Sequence, residues 1–288
     1  APNADRLILH AGTLENHISL SHAIREIRPD ECYHLAGPSF VDASFEEEPT
    51  ILAALIGGTH ALLAAIKELA PECRFFMAGS SEMFGAPVSS PQDESTPFNP
   101  RSIYGLAKLA GYHTTHYYKQ RYGLFACTGI MYNHESPRRS PEFLPRKVSR
   151  AAARIKLGLD VSVSLGNTAA RRDWGYAPEY VEAMWMMLQQ AVSDDYVIAT
   201  GESHSVRDFL DASFGLLNIN WSDHVHIDPK LLRPIDVDQF IGNSSKARKA
   251  LGWKPRISLH DLAREMVVAD LINEGVDPAT SGSVRGGR

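Results

Sequence analysis

The chain has 288 residues, of which 44% are hydrophobic, so it can form the core of one large or two modest globular domains. Its formal net charge of −5 argues against a nucleic-acid-binding protein. No apolar run approaches the ~20 residues of a membrane span and no signal peptide is evident, so we expect a cytoplasmic protein with no membrane partner. Cys32, Cys73 and Cys127 are widely spaced in apolar segments, which favours buried reduced thiols over a disulfide frame or a metal cluster.

The N-terminal half alternates short apolar runs with longer helical patterns, as parallel α/β proteins do. We predict strands at 7–12, 31–36 and 73–78 and helices at 19–27 and 51–69, with close packing allowed by Gly57 and Gly58. This order predicts a doubly wound parallel sheet of the Rossmann type. No Gly-x-x-Gly-x-x-Gly precedes a helix in this sequence, so the glycine-rich N-terminal βα unit of such a fold is missing from the chain. The chain begins without Met, which is compatible with a fragment and with a protein that lacks the unit.

The stretch from Ser80 to Lys108 carries the strongest chemical signal. Ser80 and Glu82 follow the predicted strand 73–78, and the carboxyl ends of parallel strands are where open α/β sheets bind ligands. Tyr104 and Lys108 are four residues apart in a predicted helix, which places both on one face. Because a nearby cation favours phenolate over phenol, Tyr104 could remove a proton from a substrate hydroxyl. Taken alone, Tyr-x-x-x-Lys is equally compatible with a chance pair on a solvated helix.

The rest of the chain continues the α/β pattern and then becomes richer in proline and arginine. His113 and His116 lack a third ligand at zinc-like spacing, so we predict surface or packing residues and no metal site. Residues 138–156 are locally basic, which suits solvated charge for some arginines and a diphosphate for others. The remaining predicted elements are helix 102–121, strand 124–131, helix 145–157, strand 161–166, helix 178–190, strand 196–200, helix 205–217 capped by Ser205, and segments 225–238, 244–251 and 259–273.

Two further motifs narrow the class. Asn133-His134-Glu135-Ser136-Pro137-Arg138-Arg139 and Arg171-Arg172-Asp173-Trp174-Gly175, together with the Ser80 to Lys108 stretch, resemble the extended short-chain dehydrogenase/reductases and, within them, the GDP-mannose 4,6-dehydratases. The resemblance runs from about residue 10 to about residue 270. It implies a truncated NADP-binding Rossmann domain at 1–133, with 172–199 packing back on it, and a smaller sugar-nucleotide-binding domain at 134–171 and 200–275. Residues 276–288 are predicted to be a disordered tail.

The resemblance also implies site residues, at the positions of this sequence that match the family. The implied catalytic set is Ser80, Glu82, Tyr104 and Lys108, with Ser80 standing where the family has Thr. The implied cofactor-binding set is Thr13, Leu14, Leu35, Ala36, Gly37, Ser39, Lys108, His134 and Arg139. Thr13 replaces an Asp of the family, and Pro38 replaces a Gln, which removes a backbone N–H. The implied substrate-binding set is Asn133, Lys147, Asn167, Arg172, Arg207, Arg233 and Asp236, the last of which replaces a Glu.

The activity implied by the resemblance is conversion of GDP-mannose to GDP-4-keto-6-deoxymannose by internal hydride transfer through bound NADP. A homotetramer or homodimer is implied as well, with the Arg138–Arg139 loop reaching a neighbouring subunit's cofactor. Two alternatives stay open. One is another nucleotide-sugar dehydratase, epimerase or reductase of the same superfamily. Glu82 favours a dehydratase, because simple reduction needs no base at carbon 5. The other is a catalytically idle scaffold subunit that lacks the glycine-rich unit.

Overall fold

The computed structural model describes residues 6–38, 48–232 and 240–276. The chain divides into two compact units. The first unit comprises residues 1–87, 96–130 and 184–196, and the second comprises 88–95, 131–183 and 197–288. Of segment 172–199, which we predicted to pack with the first domain, residues 184–196 belong to the first unit and residues 172–183 and 197–199 to the second. Ser39, Arg233, Asp236 and the predicted tail lie outside the described residues.

Most predicted helices and strands are present with small changes at their ends, and the short strands at 133–135, 171–172, 174–176 and 204–205 were not predicted. The helices are α1 His17–Ile27, α2 Glu48–Leu52, α3 Gly58–Leu69, α4 Ile103–Tyr122, α5 Leu144–Lys156, α6 Ala177–Leu188, α7 Val206–Gly215, α8 Ser245–Leu251 and α9 Leu259–Asn273. The strands are β1 Glu31–His34, β2 Arg74–Ala78, β3 Ala126–Met131, β4 Asn133–Glu135, β5 Val163–Leu165, β6 Arg171–Arg172, β7 Trp174–Tyr176, β8 Tyr196–Ile198, β9 His204–Ser205 and β10 Val225–Ile227.

The first unit is built on a parallel sheet, as predicted. Strand β2 lies between β1 and β3, with Cys32 opposite Phe75 and Phe76 opposite Cys127. The sheet order is β1, β2, β3 and β8. The first residue of β8, Tyr196, is the last residue of this unit. Every residue of β3 is buried, which explains why its sequence reads as a continuous apolar run. The expected fold class, α/β with a doubly wound parallel sheet, is confirmed.

The predicted strand at 7–12 is wrong. Residues 7–12 form no strand, and Leu7, Ile8 and Leu9 are 66%, 77% and 84% exposed. An apolar run becomes a strand only when another strand lies beside it to accept its hydrogen bonds. Among the described residues no strand pairs with this segment, and local sequence cannot reveal whether such a partner is present.

The run from Glu48 to Leu69 is one continuous helical segment in the structure. It consists of α2, a π-helical stretch at Ala53–Gly57 and α3. By length and composition its 22 residues could cross a membrane. More than half of its most apolar window is buried, which is the behaviour of a core helix. Its packing includes the contact expected for Gly58, where a Cβ would lie 2.8 Å from the Cβ of Leu14.

The second unit contains short paired strands and a helical core. Strands β4 and β7 are parallel, β5 and β10 are parallel, and β6 and β9 are antiparallel. Helices α5, α7 and α9 bury an apolar cluster that includes Val148, Phe209, Phe214 and Met266. Ser205 caps α7, as predicted, through a reciprocal hydrogen-bond pair with Asp208.

Candidate active site

Strand β2 delivers Ser80 and Glu82 to its carboxyl end. Ser80 has an extended backbone and caps the short 3-10 turn Ser81–Met83, and its Oγ accepts a hydrogen bond of 3.2 Å from the Glu82 N–H. The cap fixes where the Ser80 oxygen points, while its O–H proton stays available to donate. Glu82 is partly buried. A hydroxyl and a carboxylate therefore leave this strand end side by side.

Helix α4 begins directly against that turn. Ser102 caps α4 by accepting a hydrogen bond of 3.0 Å from the Gly105 N–H. A Cβ built on Gly105 would lie only 2.5 Å from the backbone oxygen of Glu82, so the first turn of α4 is in backbone contact with the Ser81–Met83 turn. Tyr104 is the residue before this glycine. The structure thus brings Glu82 and Tyr104 together, as the sequence predicted.

Lys108 connects the helix to the strand. Its side chain is buried, and Nζ donates a hydrogen bond of 2.9 Å to the backbone oxygen of Ala78 at the end of β2. The same Nζ lies 5.7 Å from the centroid of the Tyr104 ring. Burial lowers the pKa of Lys108 to about 8. When protonated, Lys108 places a positive charge beside the Tyr104 ring, which favours the phenolate.

The sequence reasoning missed His34 as a member of this neighbourhood. His34 is buried at the end of β1, 3.0 Å from the Thr59 Oγ1, which donates its own proton to the Leu55 carbonyl. The Nε2 of His34 must therefore be the donor, and among the described residues its Nδ1 has no partner. Burial, reinforced by the charge of Lys108, lowers the pKa of His34 to about 4. The available signal was a histidine inside an apolar strand.

The predicted cofactor residues of the first unit lie near one another only in part. Gly37 has a φ of +123°, and a Cβ there would lie 2.3 Å from Leu55 Cδ2 and 3.6 Å from Leu14 Cδ1. Leu14 and Gly37 are therefore neighbours, at a position that only glycine tolerates. Thr13, Leu35 and Ala36 are exposed.

In the second unit His134 is held in one orientation. Its Nδ1 donates a hydrogen bond of 2.8 Å to the Tyr132 carbonyl, and its ring stacks on Tyr180 with centroids 4.8 Å apart. Burial lowers the pKa of His134, so the neutral ring carries its lone pair on Nε2. Asn133, one residue earlier in β4, is partly buried.

Arg139 contacts its own chain. Its Nε lies 3.4 Å from Oε2 of the buried Glu135, and its guanidinium lies 3.4 Å from the centroid of the Phe143 ring. Both partners were missed from the sequence. The predicted reach of Arg139 to a neighbouring subunit stays a prediction.

Three predicted substrate residues cluster around strands β6 and β9. Arg172 lies in β6, and its Nη1 donates 2.8 Å to the Arg171 carbonyl. The exposed Arg207 follows β9, and its Nε donates 3.3 Å to the Thr168 Oγ1, which places it beside Asn167. Lys147, partly buried in α5, is not connected to this cluster by any described contact.

The described residues hold no group of three or more His, Cys, Asp or Glu side chains suited to a metal. His113 is exposed, while His116 pairs with Asp195, whose other oxygen accepts 2.6 Å from the Thr128 N–H. His113 thus lies at the surface, and His116 packs against Asp195. The three cysteines are free thiols, and burial raises the pKa of Cys32 to about 11 and that of Cys73 to about 12.

Solved structures define the class of this fold. RMD from Pseudomonas aeruginosa, complexed with NADPH, superposes with a TM-score of 0.85 at 22% identity over 93% of this chain and 89% of that chain. dTDP-glucose 4,6-dehydratase from Bacillus anthracis, in complex with NAD, gives a TM-score of 0.79 at 20% identity over 91% and 79%. These two likenesses place the chain in the class of α/β proteins with a Rossmann-like parallel sheet.

Closer relatives identify the family. The family model for GDP-mannose 4,6 dehydratase matches residues 1–266. GDP-mannose 4,6 dehydratase 1 of Arabidopsis thaliana is 48% identical over 267 residues, covering 91% of this chain and 74% of that relative. The chain belongs to the GDP-mannose 4,6-dehydratase family, and the family and enzyme type expected from the motifs are confirmed.

Proposed function

We propose that the chain converts GDP-mannose to GDP-4-keto-6-deoxymannose, with Tyr104 and Glu82 as its two proton-transfer groups. The observation that carries this proposal is the backbone contact of Gly105 with Glu82, which brings an acidic residue next to the first turn of the helix that holds Tyr104 and Lys108. Reduction or oxidation of one sugar carbon needs only the tyrosine and the lysine. A dehydration also needs a base for the neighbouring carbon, and Glu82 is placed to supply one.

Tyr104 acts first, on the hydroxyl at carbon 4 of the hexose. As phenolate it accepts the hydroxyl proton. The Lys108 ammonium stabilises the negative charge of the phenolate and so favours that form over the phenol. The Ala78 carbonyl holds the Lys108 nitrogen in place. The resulting ketone acidifies the proton at carbon 5.

Glu82 then removes the carbon-5 proton, and a hydroxyl leaves carbon 6 as water. Ser80 has an O–H that can hydrogen-bond the sugar while its oxygen stays fixed by the Glu82 N–H. Each such proton transfer typically accelerates a reaction by roughly 10²–10⁴-fold. No net oxidation or reduction of the sugar nucleotide is required.

The cofactor we propose is NADP, which when bound would accept the hydride from carbon 4 and return it at carbon 6. The donor set on the chain fits such a group. Lys108 and Arg139 are cations, and His134 is a neutral ring held in one tautomer. Arginine suits phosphate oxygens because its planar fork donates two parallel hydrogen bonds. The two similar solved structures, one complexed with NADPH and the other with NAD, support a nicotinamide dinucleotide.

For the substrate, Asn167, Arg172 and Arg207 would bind the diphosphate of GDP-mannose. Two arginines and an amide beside one short antiparallel pair offer several donors to neighbouring phosphate oxygens. We also propose that the working form is a homodimer or homotetramer.

The direct test incubates the full chain with GDP-mannose and either NADP⁺ or NAD⁺, and follows the sugar nucleotide by mass spectrometry. The proposal predicts loss of one water from GDP-mannose and faster turnover with NADP⁺. UDP-glucose and dTDP-glucose serve as matched substrates for the alternative within the superfamily. Turnover of either of these with none of GDP-mannose would contradict the substrate assignment, and no turnover of any would favour a scaffold subunit.

Denaturation of the purified protein gives an independent test of the cofactor. We expect NADP(H) in the released fraction, detected by absorbance and mass spectrometry. A dinucleotide-free fraction, together with no NADP⁺ binding by calorimetry, would contradict the cofactor assignment for this chain.

A further inference from the structure

Glu135 is a buried carboxylate with no assigned role. It ends strand β4, pairs across to Tyr176 of β7, and is 1% exposed. Burying an ionisable carboxyl group away from water is costly unless a charge partner compensates it. Glu135 therefore needs a positively charged partner.

That partner is Arg139, four residues later. The ion pair joins Glu135 Oε2 to Arg139 Nε at 3.4 Å, and one face of the guanidinium lies on Phe143 at 3.4 Å from the ring centroid. Two backbone hydrogen bonds hold the connecting loop, from Arg139 N–H to Ser136 O and from Phe143 N–H to Ser140 O, at 3.0 and 3.1 Å. Arg139 is thus held at its Nε edge by charge attraction, without a hydrogen bond, and on one face by the Phe143 ring.

Its terminal nitrogens, Nη1 and Nη2, are not part of this contact. In the part of the second unit that the structure describes, the ion pair with Glu135 is made through Nε, which is buried and has no hydrogen-bond partner. Other arginines of this unit bind carboxylates through their terminal nitrogens. Arg146 pairs with Asp270 through Nη1. Arg154 donates from Nη1 to Glu274 and from Nη2 to Asp160. Among these described pairs Arg139 differs, because only its Nε faces a carboxylate.

We propose that Glu135 is a positioning residue that orients Arg139, together with Phe143, so that its two terminal nitrogens face a phosphate group of the dinucleotide. This rests on the proposed function, in which Arg139 contacts the cofactor. A guanidinium held at Nε loses less conformational freedom when it binds phosphate, so its affinity is higher than that of a mobile side chain. Glu135 also opposes the phosphate charge, so orientation must outweigh repulsion for the proposal to hold.

Two variants separate those effects. Glu135→Leu removes the acceptor and the charge, whereas Glu135→Gln removes the charge and keeps a carbonyl that can face Nε. By calorimetry with NADP⁺ we expect Glu135→Leu to weaken binding roughly tenfold, the usual scale for removing an orienting partner, and Glu135→Gln to weaken it less than about threefold. In an Arg139→Ala background Glu135→Leu should have no further effect, because its action passes through that arginine.

The matched control is Asp270→Asn, which breaks another buried arginine pair in the same unit and should leave NADP⁺ affinity unchanged. Circular dichroism of each variant serves to check that it is folded. The proposal is overturned if Glu135→Leu binds NADP⁺ as tightly as the unmutated protein or more tightly, if its effect persists without Arg139, or if Asp270→Asn weakens binding equally.

A second readout needs no cofactor. The order of the Arg139 Nε–H bond vector, followed by NMR relaxation, should be high in the unmutated and Glu135→Gln proteins and low in Glu135→Leu. Equal order in all three would overturn the positioning role. High order with no NADP⁺ binding by the unmutated protein would keep the orientation of Arg139 and refute the proposed function instead.

Discussion

The Ser80 to Lys108 region and the loop from Asn133 to Phe143 both keep a buried ionisable group in place, but they do so through different contacts. Each holds a buried ionisable group beside a side chain proposed to do chemistry or bind an anion. In the first, Lys108 is held by the Ala78 carbonyl, and α4 is held by backbone contact at Gly105. In the second, Glu135 and Arg139 are held by one another and by the Phe143 ring.

The difference teaches where each region is vulnerable. A site built on backbone contact keeps its geometry when a side chain changes, so variants there should lose chemistry while the fold persists. A site built on side chains should change in orientation and in pH response. The first region is thus suited to placing reacting groups, and the second to tuning the strength of one contact.

Tyr104→Phe should give the largest effect. It removes only the hydroxyl whose phenolate form accepts the carbon-4 hydroxyl proton, so we expect kcat to fall roughly 10²–10⁴-fold with little change in the free energy of unfolding. Steady-state rates with GDP-mannose, alongside denaturant melts, check this. A large loss of stability would show that the hydroxyl supports the fold. That result would contradict the view that backbone contacts hold this region.

Glu82→Gln should stop water loss while sparing oxidation at carbon 4. The amide cannot take the carbon-5 proton, so we expect a similar loss in dehydration, roughly 10²–10⁴-fold. Exchange of the carbon-5 hydrogen with deuterated solvent should vanish as well. Near-normal dehydration by this variant would remove Glu82 from the mechanism and move an epimerase or reductase ahead.

Glu135→Gln should change how stability depends on pH. Burial raises the pKa of Glu135 from 4.5 to about 7, although Arg139 opposes the shift, and the Tyr180 hydroxyl is a further nearby titratable group. Between these values the folded state holds a proton that the unfolded state has released, so stability falls as pH rises from 4.5 to 7. The variant should lack this fall, a difference on the order of 3 kcal/mol.

Urea melts across that pH range measure the effect, with the exposed Glu72→Gln as control. Parallel pH profiles for the unmutated and Glu135→Gln proteins would show that Glu135 ionises in the folded state as it does in the unfolded one. The burial of Glu135 would then have no effect on how stability depends on pH.

Gly105→Ala should destabilise the first unit. The new Cβ would meet the backbone oxygen of Glu82 at 2.5 Å, so α4 or the turn must shift, at a cost of about 2 kcal/mol. Gly215→Ala is the matched control, because its Cβ in α7 meets nothing within 4 Å. Equal melts for the two variants would contradict the close backbone contact.

Sequence reasoning could place the first region because its information is local. The spacing of Tyr104 and Lys108 and the apolar strand before Ser80 each follow from neighbouring residues. It could not place the segment at 7–12, because a strand depends on a partner elsewhere in space. His34 and Glu135 were missed for the same reason: what makes each notable is a neighbour brought by folding, Thr59 across the first unit and Arg139 across a loop.

The most direct test of the account follows one hydrogen atom. GDP-mannose carrying deuterium at carbon 4 is incubated with the full chain and NADP⁺, and the product is analysed by NMR. The account predicts deuterium at carbon 6 of GDP-4-keto-6-deoxymannose with no accumulation of NADPH, because Tyr104 and Glu82 serve both halves of one internal cycle. Deuterium lost from the product, or retained at carbon 4, would contradict it.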